Sequence, residues 1–455
     1  MLADTIKRSQ TVLGLVTLSV VLLAAIPLGA NRPAGWTILA LIVIALFTVQ
    51  LILDLVGVRS PQGAKLWLPA FLYLGVVCWG ISQVVSGFLP EFASPVWARV
   101  DVEGRISADP GQGRHMILRL VTYAMVFWIA LRSAQDRDGA RRLMALAAIY
   151  CTALALFGLW AFFSGTNPVL GDSASLTTVT ATFPNRNTYA TYAMMGLVLN
   201  LALYMRMVER AAAQGGRRKR LRDTLEGFFA GGWLYGLGLI VGLGAVALSQ
   251  SRAGAAATLI GLSAFVMIYA RRRNGVVGPA VLLSLLAIVG FVAFTASGGL
   301  VERLLTADTE NARFLIFPHV VDGILDRPLT GHGLGSFRDT FRAYVPVEAA
   351  FGEWDMAHNS WLENAWDLGL PAALAFYAAI FLVLARLLRA AIFRKNDRHF
   401  AAMGLAIAIA GGFHALFDFS FQIPAVTALF AFLLAIAYAQ SFGERELARA
   451  RKATG

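Results

Sequence analysis

The sequence contains little cysteine and few charged residues, and both shortages restrict what the protein can be. Its two cysteines, Cys78 and Cys151, lie in apolar segments without a partner at metal-ligand spacing, so neither a disulfide framework nor a zinc site is predicted. Charged residues make up 15% of the chain, against about 25% in a typical soluble domain, and 58% of the residues are hydrophobic. A water-soluble body of this size cannot bury so much apolar surface, and the composition therefore indicates a membrane protein.

Acidic residues are also in the minority. The chain has 27 Asp and Glu residues but 39 Lys and Arg residues, which gives a formal net charge of +12. A basic chain can bind nucleic acid, but in a membrane protein basic cytoplasmic loops explain the same excess. We therefore expect membrane lipids, and no nucleic acid, among the partners.

Long apolar runs dominate the chain. A spanning helix needs about 20 mostly apolar residues. The many apolar runs of this length predict an all-α polytopic membrane protein, in which residues 1–455 form one integral membrane domain. The twelve expected spans are 12–30, 35–56, 66–88, 115–133, 143–163, 187–207, 228–248, 253–270, 277–296, 361–385, 401–418 and 423–441.

The basic residues predict how these helices are oriented. If the N-terminus is cytoplasmic and the loops alternate sides, 27 of the 39 Lys and Arg residues fall on the cytoplasmic side. We therefore expect both termini in the cytoplasm. The longest connection, 297–359, then lies on the outer side between the ninth and tenth spans. A loop of this length is usually functional.

Three arginines are expected on the outer face of the membrane. Arg186 opens the sixth span within an Asn-Arg-Asn sequence, Arg252 lies in a Ser-Arg-Ala-Gly turn between the seventh and eighth spans, and Arg313 lies in the long loop. A guanidinium beside a helix N-terminus favours an anion such as phosphate. The alternatives are a cap by Asn185 beside a lipid-bound Arg186, and ordinary lipid headgroups as the partner of Arg252.

Histidine is the residue best suited to take up a proton on the same face. His358 precedes Asn359 and Ser360, either of which is a suitable N-cap for the tenth span. His332 lies in the glycine-rich stretch 328–337, which predicts a tight turn near a ligand or a purely structural turn.

His414 and Asp418 end the eleventh span four residues apart. At this spacing they share a helix face, and a structural ion pair between them is the simpler interpretation. The alternative is that His414 and Asp418 pair with the arginines.

Arginines beside a histidine on one face suit a substrate that carries a diphosphate. Arginine forks match phosphate oxygens, stabilise charge on a leaving diphosphate, and leave the histidine to deprotonate an acceptor hydroxyl. The reaction class is glycosyl transfer from a polyprenyl-diphosphate sugar. Because no Asp-rich or ATP-binding motif accompanies these residues, we expect a metal-independent reaction without a cofactor.

The order of these motifs resembles the bacterial O-antigen ligase and O-antigen polymerase superfamily. The motifs span about 183–424, and the resemblance in topology covers the whole chain. It implies a fold like that of lipid-sugar-dependent (GT-C type) glycosyltransferases, in the bacterial inner membrane, with one large periplasmic loop. It also implies an undecaprenyl-diphosphate-linked glycan as donor. Ligases pass this glycan to lipid A-core, whereas polymerases pass it to another repeat unit.

The resemblance carries site residues with it. Arg186, Arg252 and His358 match the family's two functional arginines and its histidine. The full expected set is His358 as catalytic base, Arg186, Arg252 and Arg313 for the diphosphate, and Asn187, His332 and Asp418 in support.

One departure leaves the acceptor open. Ligases often have a second histidine close to the catalytic one, whereas Ala357 precedes His358 here. Either His332 compensates, or the chain is a polymerase or uses another acceptor, such as a protein. A flippase or transporter of the same lipid-linked sugar is the alternative from a different class, and its charges should line a cavity that reaches both sides.

Overall fold

The computed structural model describes residues 2–57, 61–171, 177–212, 226, 231–270, 309–350, 353–394, 397–443 and 446. The predicted ninth span, 277–296, lies outside the described residues, and so does the beginning of the long loop.

Within these ranges the chain forms α-helices joined by turns and short 3-10 helices, and contains no β-strand. The helices are α1 (Leu2–Leu23), α2 (Pro33–Val56), α3 (Trp67–Val84), α4 (Pro110–Ser133), α5 (Arg137–Ser164), α6 (Arg186–Ala212), α7 (Trp233–Leu248), α8 (Arg252–Ala270), α9 (Thr309–Asp326), α10 (Phe337–Phe341), α11 (Ser360–Leu368), α12 (Leu370–Phe393), α13 (Arg398–His414) and α14 (Pro424–Ala439). A single helical turn, Pro61–Ala64, precedes α3.

Eight of the described helices are long and apolar enough to cross a membrane, and α7 and α14 are shorter apolar helices. The prediction of an all-helical, multi-pass membrane protein is confirmed, while the number twelve stays a prediction. The spans differ in how much neighbouring helices cover them. In α6, 72% of the apolar window is buried inside the protein, against 22% in α2. Helix α6 is therefore central, and the more exposed apolar helices have lipid as their natural solvent.

The predicted tenth span, 361–385, is wrong in its bounds, because the structure divides this region into α11 and α12. The break is at Gly369, whose φ of +77° lies in the region that favours glycine. A Cβ atom there would lie 2.6 Å from the Leu329 carbonyl oxygen. The spanning helix therefore begins at Leu370, and α11 is a separate nine-residue helix.

The predicted eleventh span, 401–418, is also wrong at its end, because α13 stops at His414. The backbone after α13 forms hydrogen bonds to Ser360. The Ala415 carbonyl accepts from the Ser360 N–H at 2.8 Å, and the Asp418 carbonyl accepts from Ser360 Oγ at 3.1 Å. Asp418 is therefore not on the helix that carries His414.

The described part of the long connection is folded. Residues 309–350 and 353–368, here called the loop segment, enclose a hydrophobic core around the fully buried Trp366. Gly323 of α9 provides the room for this ring, since a Cβ atom on it would lie 2.0 Å from Trp366. The other buried members are Ile316, Val320, Ile324, Phe337, Phe341, Ala349 and Ala357.

The loop segment is joined to the bundle at the end of α3. The buried Gln83 side chain donates to the carbonyls of Thr330, at 2.8 Å, and Asp367, at 2.9 Å. Its Oε1 atom accepts from the Leu334 N–H at 3.1 Å. We call the end of the bundle where the loop segment packs the loop end.

Candidate functional site

Arg186 is the first residue of α6 at the loop end. The preceding Asn185 caps this helix: its Oδ1 atom accepts from the N–H groups of Asn187, at 2.7 Å, and Thr188, at 3.3 Å. The cap that the alternative interpretation assigned to Asn185 is present, while the role of Arg186 stays a prediction. The Arg186 side chain is half-buried.

Arg252 is the first residue of α8, directly after a tight turn from α7. Ser251 caps this helix, because its Oγ atom accepts from the Gly254 N–H at 3.1 Å. The same hydroxyl donates to Asn187 Oδ1 at 2.7 Å. This bond joins the N-termini of α6 and α8, so that the residues following and preceding the two arginines are in direct contact. The Arg252 side chain itself is exposed.

Asp418 extends this contact to the segment after α13. It is fully buried, and its Oδ1 atom accepts from Asn187 Nδ2 at 3.3 Å. Its Oδ2 atom accepts from the Ser420 hydroxyl. A buried carboxylate needs such donors, since an unpaired charge in the interior is costly.

His414 and Asp418, which both belong to the described part of the chain, do not form the expected ion pair. The His414 Nδ1 atom bonds the Thr191 hydroxyl at 2.7 Å, and Thr191 also donates to Ser420 Oγ at 3.0 Å. The two side chains are therefore connected through Ser420. The reason is the end of α13 at His414, which removes the shared helix face.

His358 is the residue before the N-cap of α11. Of the two candidate caps, Asn359 and Ser360, the structure selects Asn359, whose Oδ1 atom accepts from the N–H groups of Trp361, at 3.0 Å, and Leu362, at 3.1 Å. The His358 ring packs edge-on against Phe419, with 5.0 Å between centroids. Its Nδ1 atom is buried and has no hydrogen-bond partner in the described part of the chain.

Burial and the charge of Arg313 lower the pKa of His358 to about 4, while the negative charge of Asp418 opposes the shift. The imidazole is therefore neutral near pH 7, which is the form that accepts a proton. Arg313 is half-buried and donates to the Phe417 carbonyl at 3.3 Å. Arg313, His358 and Asp418 are thus close enough to interact electrostatically.

His332 lies in different surroundings. It stacks on Trp366 with 4.2 Å between centroids, and its Nε2 atom lies 2.9 Å from the Gly323 carbonyl oxygen. Burial lowers its pKa to about 4. Among the described residues no contact joins His332 to His358, so the structure places His332 in the core of the loop segment.

The glycine-rich turn that contains His332 packs against protein backbone. Gly331, Gly333 and Gly335 all have positive φ. A Cβ atom on Gly331 would lie 2.4 Å from the Asp367 carbonyl oxygen, and the Gly333 N–H donates to that oxygen at 3.0 Å. These contacts favour the structural interpretation of the turn.

Residues 237–377 match the model of a family described as O-Antigen ligase. The predicted resemblance to the O-antigen ligase and polymerase superfamily is thereby confirmed for this region. The match includes Arg252, Arg313, His332 and His358, while Arg186 and Asp418 lie outside it. The comparison with curated proteins gave no match.

Ala357 directly precedes His358. The alanine is fully buried in the core of the loop segment. Neither Ala357 nor His332 therefore brings a second imidazole beside His358. No group of three or more His, Cys, Asp or Glu residues in the described ranges has the arrangement of a metal site.

The structure adds polar residues that the sequence reasoning missed. They are Ser251, Thr191, Ser420 and Glu363, whose Oε2 atom accepts from the Ala357 N–H at 2.9 Å. Ser251 precedes the first residue of a helix, which is an N-cap signal that the sequence does contain. Thr191 lies in the second turn of α6, and nothing in its sequence context distinguishes it.

Proposed function

We propose that this protein transfers a glycan from undecaprenyl diphosphate to an acceptor hydroxyl at the periplasmic face of the bacterial inner membrane. The preferred reaction is ligation of O-antigen to lipid A-core. The superfamily match supports glycan transfer of this kind. The asymmetry of 27 among 39 basic residues supports cytoplasmic termini and a periplasmic loop segment.

The observation that carries this proposal is the hydrogen bond between Ser251 Oγ and Asn187 Oδ1. It fixes two helix N-termini, each with an arginine, against one another. Both the positive ends of the helix dipoles and the guanidinium groups favour a bound diphosphate. Arg186 and Arg252 would hold this group, with Arg313 nearby on the side of His358.

In the proposed step, His358 takes the proton from the acceptor hydroxyl. The hydroxyl oxygen forms a bond to the anomeric carbon of the donor sugar, on the face opposite to the diphosphate. The bond between that carbon and the diphosphate oxygen breaks, and its electron pair leaves with undecaprenyl diphosphate. The anomeric configuration is inverted, and the arginines stabilise the charge on the leaving group.

Polymerisation is the second candidate, because Ala357 stands where ligases often have a histidine. The glycan phenotype of a deletion strain separates the two reactions. If the protein is a ligase, the deletion strain loses glycan from lipid A-core and accumulates lipid-linked polymer. If the protein is a polymerase, the deletion strain keeps single repeat units attached to lipid A-core but lacks long chains.

The chemistry is tested with the purified full chain in vesicles, using an undecaprenyl-diphosphate-linked glycan and a lipid A-core acceptor. We expect the wild type to transfer the glycan, and His358→Ala to insert normally but to transfer none. Full transfer by His358→Ala contradicts the assigned base. If the wild type moves the donor across the bilayer without transfer, the protein is a transporter.

A further inference from the structure

His358 has a backbone conformation that needs support. Its φ of +51° lies in the left-handed region, which non-glycine residues adopt only when their surroundings enforce it. The direction of the imidazole depends on this conformation, because the Cα–Cβ bond turns with the backbone.

The support on the C-terminal side comes from the beginning of α11. Asn359 caps the helix through its side chain, and its carbonyl accepts from the Glu363 N–H at 2.9 Å. The Ser360 N–H donates to the Ala415 carbonyl at 2.8 Å. These bonds fix the two residues after His358, Asn359 to α11 and Ser360 to the bundle.

The support on the N-terminal side comes from Glu363. Its carboxylate reaches back along the chain, and Oε2 accepts from the Ala357 N–H at 2.9 Å. In a capping box, a glutamate at the third helical position bonds the N–H of the cap residue. Here the glutamate is the fourth residue of α11 and bonds the N–H two residues before the cap, so His358 is held between two fixed points.

We propose that Glu363 is a positioning residue for His358: by holding the Ala357 N–H, it fixes the conformation that aims the imidazole at the acceptor. This inference rests on the proposed function, in which His358 is the base. Glu363 itself does not touch the substrate.

The surroundings of Glu363 indicate that an acceptor atom, and not a charge, is what the contact requires. Glu363 is 4% exposed, and burial raises its pKa to about 7, with a further contribution from the charge of Asp418 and an opposing one from the Ala357 N–H. Protonation leaves one carbonyl oxygen able to accept the same hydrogen bond. A glutamine side chain has such an oxygen at the same distance from the backbone.

The test compares Glu363→Gln with Glu363→Met in the purified full chain. Both side chains are close to glutamate in volume, so both preserve the packing, but only glutamine keeps the acceptor. Transfer is measured with an undecaprenyl-diphosphate-linked glycan and lipid A-core, to give kcat and the donor KM. His358→Ala is assayed in parallel.

We expect Glu363→Met to lower kcat about 10²-fold, which is the order of loss caused by a small displacement of a catalytic group. The donor KM should stay within about twofold, because Arg186 and Arg252 are not affected, and Glu363→Gln should restore turnover. A residue that only stabilised the fold would reduce the amount of active protein, without this pattern in kcat and KM.

The results separate this inference from the proposed function. Wild-type turnover by Glu363→Met, with His358→Ala inactive, overturns the inference alone. Equal losses in Glu363→Met and Glu363→Gln also overturn it, since the acceptor would then not be what matters. Wild-type turnover by His358→Ala instead overturns the proposed base.

If Glu363→Met does not accumulate in the membrane, kcat and the donor KM are measured for Glu363→Asp instead. Aspartate keeps the buried carboxyl group but is one methylene shorter, so it cannot reach the Ala357 N–H from the same position. Reduced kcat with an unchanged donor KM supports the inference, and full turnover overturns it.

Discussion

Ser251 Oγ lies 2.7 Å from Asn187 Oδ1, and this hydrogen bond joins the N-terminus of α8 to that of α6. The two residues are 64 positions apart in the chain. Each is the direct neighbour of an arginine, so the bond sets the relative position of Arg186 and Arg252. In the proposed reaction these arginines bind one diphosphate, and the distance between them therefore matters for donor binding.

Ser251→Ala should weaken donor binding about tenfold, a loss of about 1.4 kcal/mol. The variant removes the cap of α8 and leaves Asn187 Oδ1 buried without this donor. The affinity of the purified protein for an undecaprenyl-diphosphate-linked glycan measures the effect. Ser249→Ala is the matched control, because Ser249 is buried in the same turn, and its hydroxyl donates to the Val246 carbonyl and accepts from the Ser251 N–H without a bond to Asn187. Equal affinities for the two variants would show that the contact with Asn187 is unimportant.

Arg252→Lys should lower donor affinity by about tenfold or more. A lysine keeps the charge but loses the planar fork that bonds two phosphate oxygens together. Arg114→Lys provides the comparison, since Arg114 is also exposed and lies in the first turns of α4. We expect this control to bind the donor as the wild type does. If Arg252→Lys also retains full affinity, Arg252 serves as a lipid anchor.

Transfer should depend on pH through His358. The base must be neutral, and its pKa of about 4 means that kcat/KM stays level near neutrality and falls as the pH drops through about 4. Because the charge of Arg313 helps to lower this pKa, Arg313→Met should raise it toward the ordinary value of about 6.5. The acid limb of the pH profile should then move to higher pH.

The control for this shift is Arg99→Met, which removes an exposed arginine from the 3-10 helix Pro95–Arg99. Its acid limb should coincide with that of the wild type. An Arg313→Met profile that falls at the same pH as the wild type would mean that His358 is not the group that titrates.

Gly369→Ala should destabilise the junction between α11 and α12. The new methyl group would lie 2.6 Å from the Leu329 carbonyl oxygen, at a φ of +77°. We expect a clear fall in the thermal unfolding midpoint of the purified protein. Gly244→Ala is the matched variant within α7, where a Cβ atom meets nothing within 4 Å. There alanine should stabilise the helix by up to about 1 kcal/mol. Similar midpoints for the two variants would contradict the close packing at Gly369.

The sequence alone determined the class of the protein and the location of most described helices, and it offered Asn185 and Asn359 as candidate caps. These are local properties: the transfer of apolar side chains into lipid depends on composition, and a cap involves residues two or three positions apart. The superfamily resemblance was also visible in short motifs, and the match over 237–377 confirmed it for that region.

Tertiary structure decided the features that do not follow from these local properties. The break at Gly369 follows from its contact with the Leu329 carbonyl, and the end of α13 at His414 follows from bonds to Ser360. His332 is a core residue because Trp366 stacks on it. The bond from Asn187 to Asp418 spans 231 positions, and only the packing of the helices brings such distant groups within hydrogen-bonding distance.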